Sequence, residues 1–257
     1  MRPVVVAEQP HYLPWLDYFE QAARADSLVI LDDVQWLRRG WQRRTRIALP
    51  GSQPLPPPGG QPFQWLSIPL VSARQQDELR ALSIDQTQPW ARKHLAAIEM
   101  VYGARPHYRT QVEPLLARLY EELRELRGPG SLLAALLRSY ELFAGVLGVA
   151  PTLTLASTLR RDDPDRTGRL VELCTQLGAR TYYSGLGSVL YLKPAPFRSA
   201  GVRLLWQRFR PPPYDQGFPG RPFVGSLSIV DALANVPLEE ARRWLEPQPF
   251  GPFGPQS

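Results

Sequence analysis

The sequence predicts an α/β fold: a mostly parallel sheet flanked by helices, with a helical insert between two α/β halves. Three observations predict it. A short apolar run, a turn, a helical pattern and a second apolar run follow one another within the first thirty-odd residues. A block of helix-patterned sequence then occupies Trp90 to Gly148, and strand and helix patterns alternate again beyond Pro151. Strand, helix, strand at that spacing is a βαβ unit, whose connection requires parallel strands and a right-handed crossover.

Taking the elements in order, VVVA reads as a buried strand stopped by QPHYLP, WLDYFEQAARA as a helix and SLVILDD as the second strand. The segment 50–62, PGSQPLPPPGGQP, is a loop because proline lacks the amide donor and fixes φ. FQWLSIPLV is strand-like, and the stretch through SIDQ is expected to add an edge strand. Three amphipathic runs separated by Gly and Pro follow: WARKHLAAIEMVYG, YRTQVEPLLARLYEELREL and SLLAALLRSYELFAGVLG. PTLTLAS, ARTYYSG and GVRLLWQRF read as strands, with DRTGRLVELCTQLG as a helix among them. LSIVDALANV and PLEEARRWL are short helices after a second proline-rich loop. The expected organisation is an N-terminal α/β part (1–89), a helical insert (90–150), a C-terminal α/β part of the same domain (151–247) and a mobile tail (248–257).

Composition narrows the function classes. With 257 residues, 44% of them hydrophobic, the chain can bury a substantial core. No run of about 18 apolar residues exists, so no membrane span is expected. The opening lacks a basic region, an apolar stretch and a cleavage site, which makes the cytoplasm the expected compartment. Cys174 lies in an apolar helical run and is read as a buried structural thiol. The three histidines are scattered, so no metal site is expected. The net charge is +6 and the cations are nearly all arginine, since Lys93 and Lys193 are the only lysines. Arginine forks suit phosphate and carboxylate, whereas no nucleic-acid module is visible, and nucleic acid is not an expected partner.

Ligands of open α/β sheets bind beyond the carboxyl ends of the strands, which directs attention to four constellations. QPHYLPW follows the first strand and offers Gln9, His11, Tyr12 and Trp15 on a backbone stiffened by prolines; a rigid turn packing its aromatics on the core is the alternative reading. LDDVQWLRRGWQRRTRI ends the second strand. Asp32 and Asp33 point to opposite faces of an extended chain, so they are a poor proton-sharing pair, and one is a candidate base while the other caps or pairs with arginine. Arg38, Arg39, Arg43, Arg44 and Arg46 with Trp36 and Trp41 suit a diphosphate and a stacked ring; a solvated basic face accounts for some of them. TYYSGLGSVLYL places Ser184, Gly185, Gly187 and Ser188 at a strand end, either as an anion cradle or as a plain tight turn. PPPYDQGF carries Tyr214, Asp215 and Gln216, with a structural loop as its alternative.

Together and in this order these pieces resemble the WbqC-like family. Its opening turn is matched by Gln9, Pro10, Tyr12, Pro14, Trp15 and Tyr18, and its paired aspartate and Q-aromatic step by Asp32, Asp33, Gln35 and Trp36. Trp41, Arg43, Arg44 and Arg46 follow, with Arg43 standing where the family usually has asparagine. Trp90, His94 and Tyr102 fit a W..KH…Y helix, and Tyr183, Ser184, Gly185, Tyr191, Leu192 and Phe197 a Y-S-G…YL…F block. Gln216 and Leu227 to Asp231 fit the closing block, while Lys193 replaces an expected acidic residue. The resemblance covers nearly the whole chain.

What the resemblance implies is a transferase of surface-polysaccharide or glycoside biosynthesis, such as O-antigen assembly, forming an amide by acyl or aminoacyl transfer to the amine of a nucleotide-linked amino sugar. The expected catalytic residues are His11, Asp32 and Asp33. The expected substrate-binding residues are Gln9, Tyr12, Trp15, Gln35, Trp41, Arg43, Arg46, His94, Tyr183, Ser184, Gly185, Tyr191 and Gln216. No cofactor is required, and an acyl or aminoacyl carrier protein is a candidate partner. Two alternatives stay open. The order of strand, histidine-bearing turn and helix looks like the start of nucleotidylyltransferase domains, which would make the protein an ATP-dependent ligase. A non-catalytic sugar-nucleotide-binding accessory protein is the other.

Overall fold

Val4–Glu8 (β1) enters the middle of a five-stranded parallel sheet of order β5-β2-β1-β6-β7 in the computed structural model, which describes residues 3–51, 53 and 60–247. The tail 248–257 and much of the proline-rich loop fall outside the described residues. The remaining strands are Ser27–Ile30 (β2), Thr152–Leu155 (β5), Thr181–Ser184 (β6) and Arg203–Trp206 (β7). Register is fixed by pairs such as Val6 with Leu28, Leu28 with Leu153, Val5 with Tyr182 and Tyr183 with Leu205. Arg44–Ala48 (β3) and Phe63–Ser67 (β4) form a separate antiparallel pair with Arg46 opposite Trp65. The edge strand expected through SIDQ is reduced to a single bridge between Leu70 and Ile84.

Side chains of a strand alternate between faces, and here each face meets its own helical layer. Val6, Leu28 and Ile30 pack into a core with Leu16–Ala23 (α1), Trp90–Tyr102 (α2), Glu113–Glu125 (α3), Ser131–Leu147 (α4), Ile229–Asn235 (α7) and Leu238–Leu245 (α8). Val5, Ala7 and Val29 pack into another with Arg166–Gln176 (α5) and Pro194–Ser199 (α6). Phe19 of α1 stacks on Tyr140 of α4, ring centroids 5.7 Å apart, so the run of helices between the two groups of strands shares the core of the sheet. Cys174 is buried in the second core, where burial pushes its thiol up to about 12, as befits a structural residue.

Local chemistry explains several boundaries. α5 starts at Asp165, whose carboxylate accepts from the amides of Thr167 and Gly168 at 2.9 and 3.2 Å. α4 ends at Gly148, at φ 73°, a left-handed conformation that glycine adopts without steric cost. The chain moves outward from β1 through β2 to β5, then returns to β6 on the other side of β1. With right-handed crossovers this reversal puts α1 on one face and α5 on the other, leaving a cleft above the carboxyl ends of β1 and β6.

Candidate functional site

Glu8, the last residue of β1, lies at that reversal beside Ser184 and Gly185 at the end of β6. A Cβ on Gly185 would sit 3.3 Å from Oε1 of Glu8 and 3.2 Å from Nε2 of Gln21, so glycine lets the β6 backbone pass close over the carboxyl. Glu8 accepts hydrogen bonds from the Gln21 side chain and the Gln9 amide, but burial outweighs both and pushes its pKa up to about 7. Around it, Tyr18 Oη, Gln21 Oε1 and His11 Nδ1 are buried without a hydrogen-bond partner. Native proteins satisfy nearly all such groups, so these unmatched atoms near the end of β1 make it a candidate place for a polar ligand. Ser188 Oγ donates to the Gly185 carbonyl at 2.7 Å and pairs with Ser184 Oγ at 2.6 Å.

The QPHYLPW turn is held in an uncommon conformation. Leu13 has φ 42°, sterically costly for a residue with a Cβ. Its N–H donates to Ser139 Oγ at 2.9 Å, its carbonyl accepts from Thr45 Oγ1 at 3.0 Å, and the neighbouring Pro14 carbonyl accepts from Ile229 N at 2.8 Å. The result fixes His11 against Trp15, rings stacked at 4.8 Å, and against Tyr18 at 5.2 Å. Burial pulls its imidazole down to about 3, so His11 is neutral at physiological pH. Asp17, on the first turn of α1, is pushed the other way, to about 6, by burial and by Glu20.

The twin acids diverge, as extended backbone requires. Asp32 accepts from Ser157 N at 2.9 Å and Ser157 Oγ at 2.6 Å, tying the end of β2 to the turn after β5. Asp33 Oδ2 meets Nη2 of buried Arg169 at 2.5 Å and Nη1 of half-exposed Arg161 at 3.7 Å. Next to this pair lies a crevice of about 320 Å³ whose wall includes Gln9, Leu31, Val34, Arg161, Arg166, Arg169 and Tyr191. Tyr191 joins the two regions: its ring lies 5.8 Å from the Arg166 guanidinium, and its phenol is raised by burial and by the Glu8 carboxylate.

Of the expected residues, Gln9, Gln35 and Tyr191 line the crevice, Gly185 lies beside Glu8 with Ser184 next to it at the end of β6, His11 packs on Trp15 and Tyr18, and Asp33 meets the crevice through Arg161 and Arg169. The remaining expected residues take structural positions, Trp15 among them although it stacks on His11. Tyr12 bonds His94 Nδ1 at 3.0 Å in an aromatic core with Trp90 and Tyr120, where burial takes His94 down to about 4. Tyr183 reaches Glu20 below the sheet at 3.0 Å. Trp15, Trp41 and Trp65 form a ladder with centroids 4.4 and 5.0 Å apart, and Arg46 lies 4.4 Å over Trp41. Arg43 donates to the Ile68 carbonyl at 2.9 Å, and Gln216 donates to buried Asp231 at 2.7 Å, whereas exposed Gln35, bridged to Glu78, lies on the crevice wall. Sequence reasoning missed Glu8, Gln21, Arg161, Arg166 and Arg169. The strand-end rule already pointed at Glu8, which directly precedes Gln9.

The family model described as "WbqC-like protein family" matches residues 9–243. An uncharacterized protein of Mycobacterium tuberculosis (strain ATCC 25618 / H37Rv), Rv1507c, is 31% identical over 243 residues, covering 93% of this chain and 96% of its own length. No solved structure matches the chain. The chain belongs to the WbqC-like protein family.

Proposed function

We propose that the protein is a transferase that forms an amide on the amine of a nucleotide-linked amino sugar, with Glu8 as the base. The single observation that carries this reading is a carboxyl group with a pKa of about 7 at the point where the strand order reverses. A base is most effective when its pKa lies near the working pH, because enough of it is ionised and the ion still binds a proton well. Glu8 takes a proton from the sugar ammonium, the freed amine attacks the acyl carbonyl and forms the C–N bond, the bond from the carbonyl carbon to the donor's sulfur or oxygen breaks, and the amine's second proton leaves with that thiolate or alkoxide. The Ser184 and Ser188 hydroxyls, which pair with each other and with the Gly185 carbonyl, would turn to the tetrahedral oxyanion as it develops. The acyl group comes preactivated, from a carrier protein or an equivalent ester.

The test is to incubate purified protein with acyl and aminoacyl thioesters and a panel of nucleotide-linked amino sugars, and to follow amide formation by mass spectrometry. Glu8→Gln should keep sugar-nucleotide affinity within about threefold and lose turnover by about 10²-fold or more. Binding without turnover in the parent protein favours an accessory role, pyrophosphate release from added ATP favours a ligase, and failure to bind any member of the panel refutes the reading.

A further inference from the structure

We propose that Arg161, Arg166 and Arg169 form a diphosphate-binding end of the crevice beside Glu8, and that its ligand is a nucleoside diphosphate or a derivative, with the base along Leu31, Val34 and Tyr191. This deepens the transferase reading, because it names which groups hold which part of that substrate.

Arg169 carries the argument. It is 7% exposed, yet among the described residues only its Nη2 meets an acceptor, Asp33, while Nε and Nη1 are buried with no partner. A guanidinium carries five N–H donors in a planar fork, and leaving buried charged donors unmatched is costly. One carboxylate oxygen does not satisfy that fork. A phosphate brings several acceptor oxygens of matching geometry to it. Arg161 and Arg166 stand on the same wall with exposed side chains. Asp165 is the acid on that wall, and it is already occupied by the amides of Thr167 and Gly168 and by Lys193 Nζ at 3.4 Å. Even with Asp33, which pairs with both Arg161 and Arg169, the three guanidiniums outnumber the carboxylates where the crevice opens.

The arginines of the 38–46 run contrast with these. Arg43 donates to the Ile68 carbonyl, Arg44 to the carbonyls of Arg39 and Gly40 while lying on the face of Trp65, and Arg46 lies between Trp41 and Phe63; Arg43 and Arg46 each leave one buried Nε unmatched among the described residues, where Arg169 leaves two nitrogens and lines the crevice. The diphosphate role that the sequence suggested for them passes to α5. The crevice, about 320 Å³, falls at the small end of the range for organic ligands. Its apolar side and half-exposed Tyr191 suit a planar base, and Gln9 and Tyr191 lead from there to Glu8.

The experiment is isothermal titration calorimetry of the full chain with inorganic pyrophosphate, UDP and ADP, none of which requires turnover. All three are expected to bind at one site, with affinity falling as salt rises. Arg161→Ala and Arg166→Ala, at exposed positions where folding is checked by circular dichroism, should each weaken binding about tenfold, while Arg118→Ala on the far surface of α3 should leave it unchanged. Tyr191→Ala should weaken UDP and ADP but not pyrophosphate. Absence of binding at millimolar ligand, or equal affinity in parent and both arginine variants, overturns the site. Loss of pyrophosphate along with the nucleotides in Tyr191→Ala overturns the placement of the base. A protein that binds these ligands but transfers nothing refutes the transferase reading alone.

Discussion

At the scale of a residue, Glu8 does more than its neighbours because opposite demands meet on it. Its carboxylate needs solvation, yet β1 ends inside protein, beneath Gly185 and among Tyr18 and Tyr182. The folded state therefore prefers the protonated acid, with a pKa of about 7 against the ordinary value of 4.5. The sign of the linkage follows: the native state holds the proton more tightly, so the stability Glu8 contributes is complete below about 4.5 and is lost as pH rises through about 7. Glu8→Gln should consequently match the parent in thermal stability at pH 4 and exceed it at pH 8. Thermal melts across that range check it, and a variant less stable at pH 8 would show that the ionised carboxylate is stabilised after all. Greater stability joined to lost turnover is the pattern expected of a functional group kept at a cost to the fold.

At the scale of elements, the Asp33–Arg169 pair bolts the end of β2 to the first turns of α5. The residues are 136 positions apart in sequence, both side chains are 8% exposed, and the acid–base contact is 2.5 Å. Removing one partner of a buried pair strands the other, at a cost of about 3–5 kcal/mol, whereas replacing both by apolar side chains of similar volume is often close to neutral. Asp33→Ala should therefore lower stability in urea by that amount, and the double variant Asp33→Leu with Arg169→Met should recover most of it; a double variant as unstable as Asp33→Ala would assign the loss to packing instead. The same pair shows where sequence reading stops. Asp33 was visible as a strand-end acid, but its partner sits in a helix that reads only as an amphipathic surface. β3 was hidden because Arg44 and Arg46 break an apolar alternation that the tryptophans across the pair restore through their ring faces. α6 was hidden because PAPFRS places prolines in its first turn, where a missing N–H costs nothing.

At the scale of the whole molecule, the parallel sheet and the placement of the helical run were legible because each strand of the sheet is a short apolar stretch bounded by turn residues. The order of the strands was not, since it depends on which edge of β1 the chain returns to after the helices, and no local pattern records that. The site was half legible for the same reason: the strand-end rule found Gln9, Ser184 and Gly185, while the raised pKa of Glu8 arises from its burial among other elements, which the Gln21 hydrogen bond only partly offsets. One further property belongs to this scale. Val6, Leu28 and Ile30 of the sheet lie in the same buried cluster as Ile98, Leu116, Leu136 and Phe143 of the long helices, so neither part has a complete core without the other. Sheet and helices should then unfold together. Phe19 is fully buried between them, stacked on Tyr140. Phe19→Ala should remove about 3–5 kcal/mol, and it should move the urea transitions seen by tryptophan fluorescence and by far-ultraviolet circular dichroism by the same amount. If the two probes separate in the variant, with helical signal outlasting the fluorescence change, the helices from Trp90 to Leu147 fold as a unit of their own and the shared core is not what holds them to the sheet.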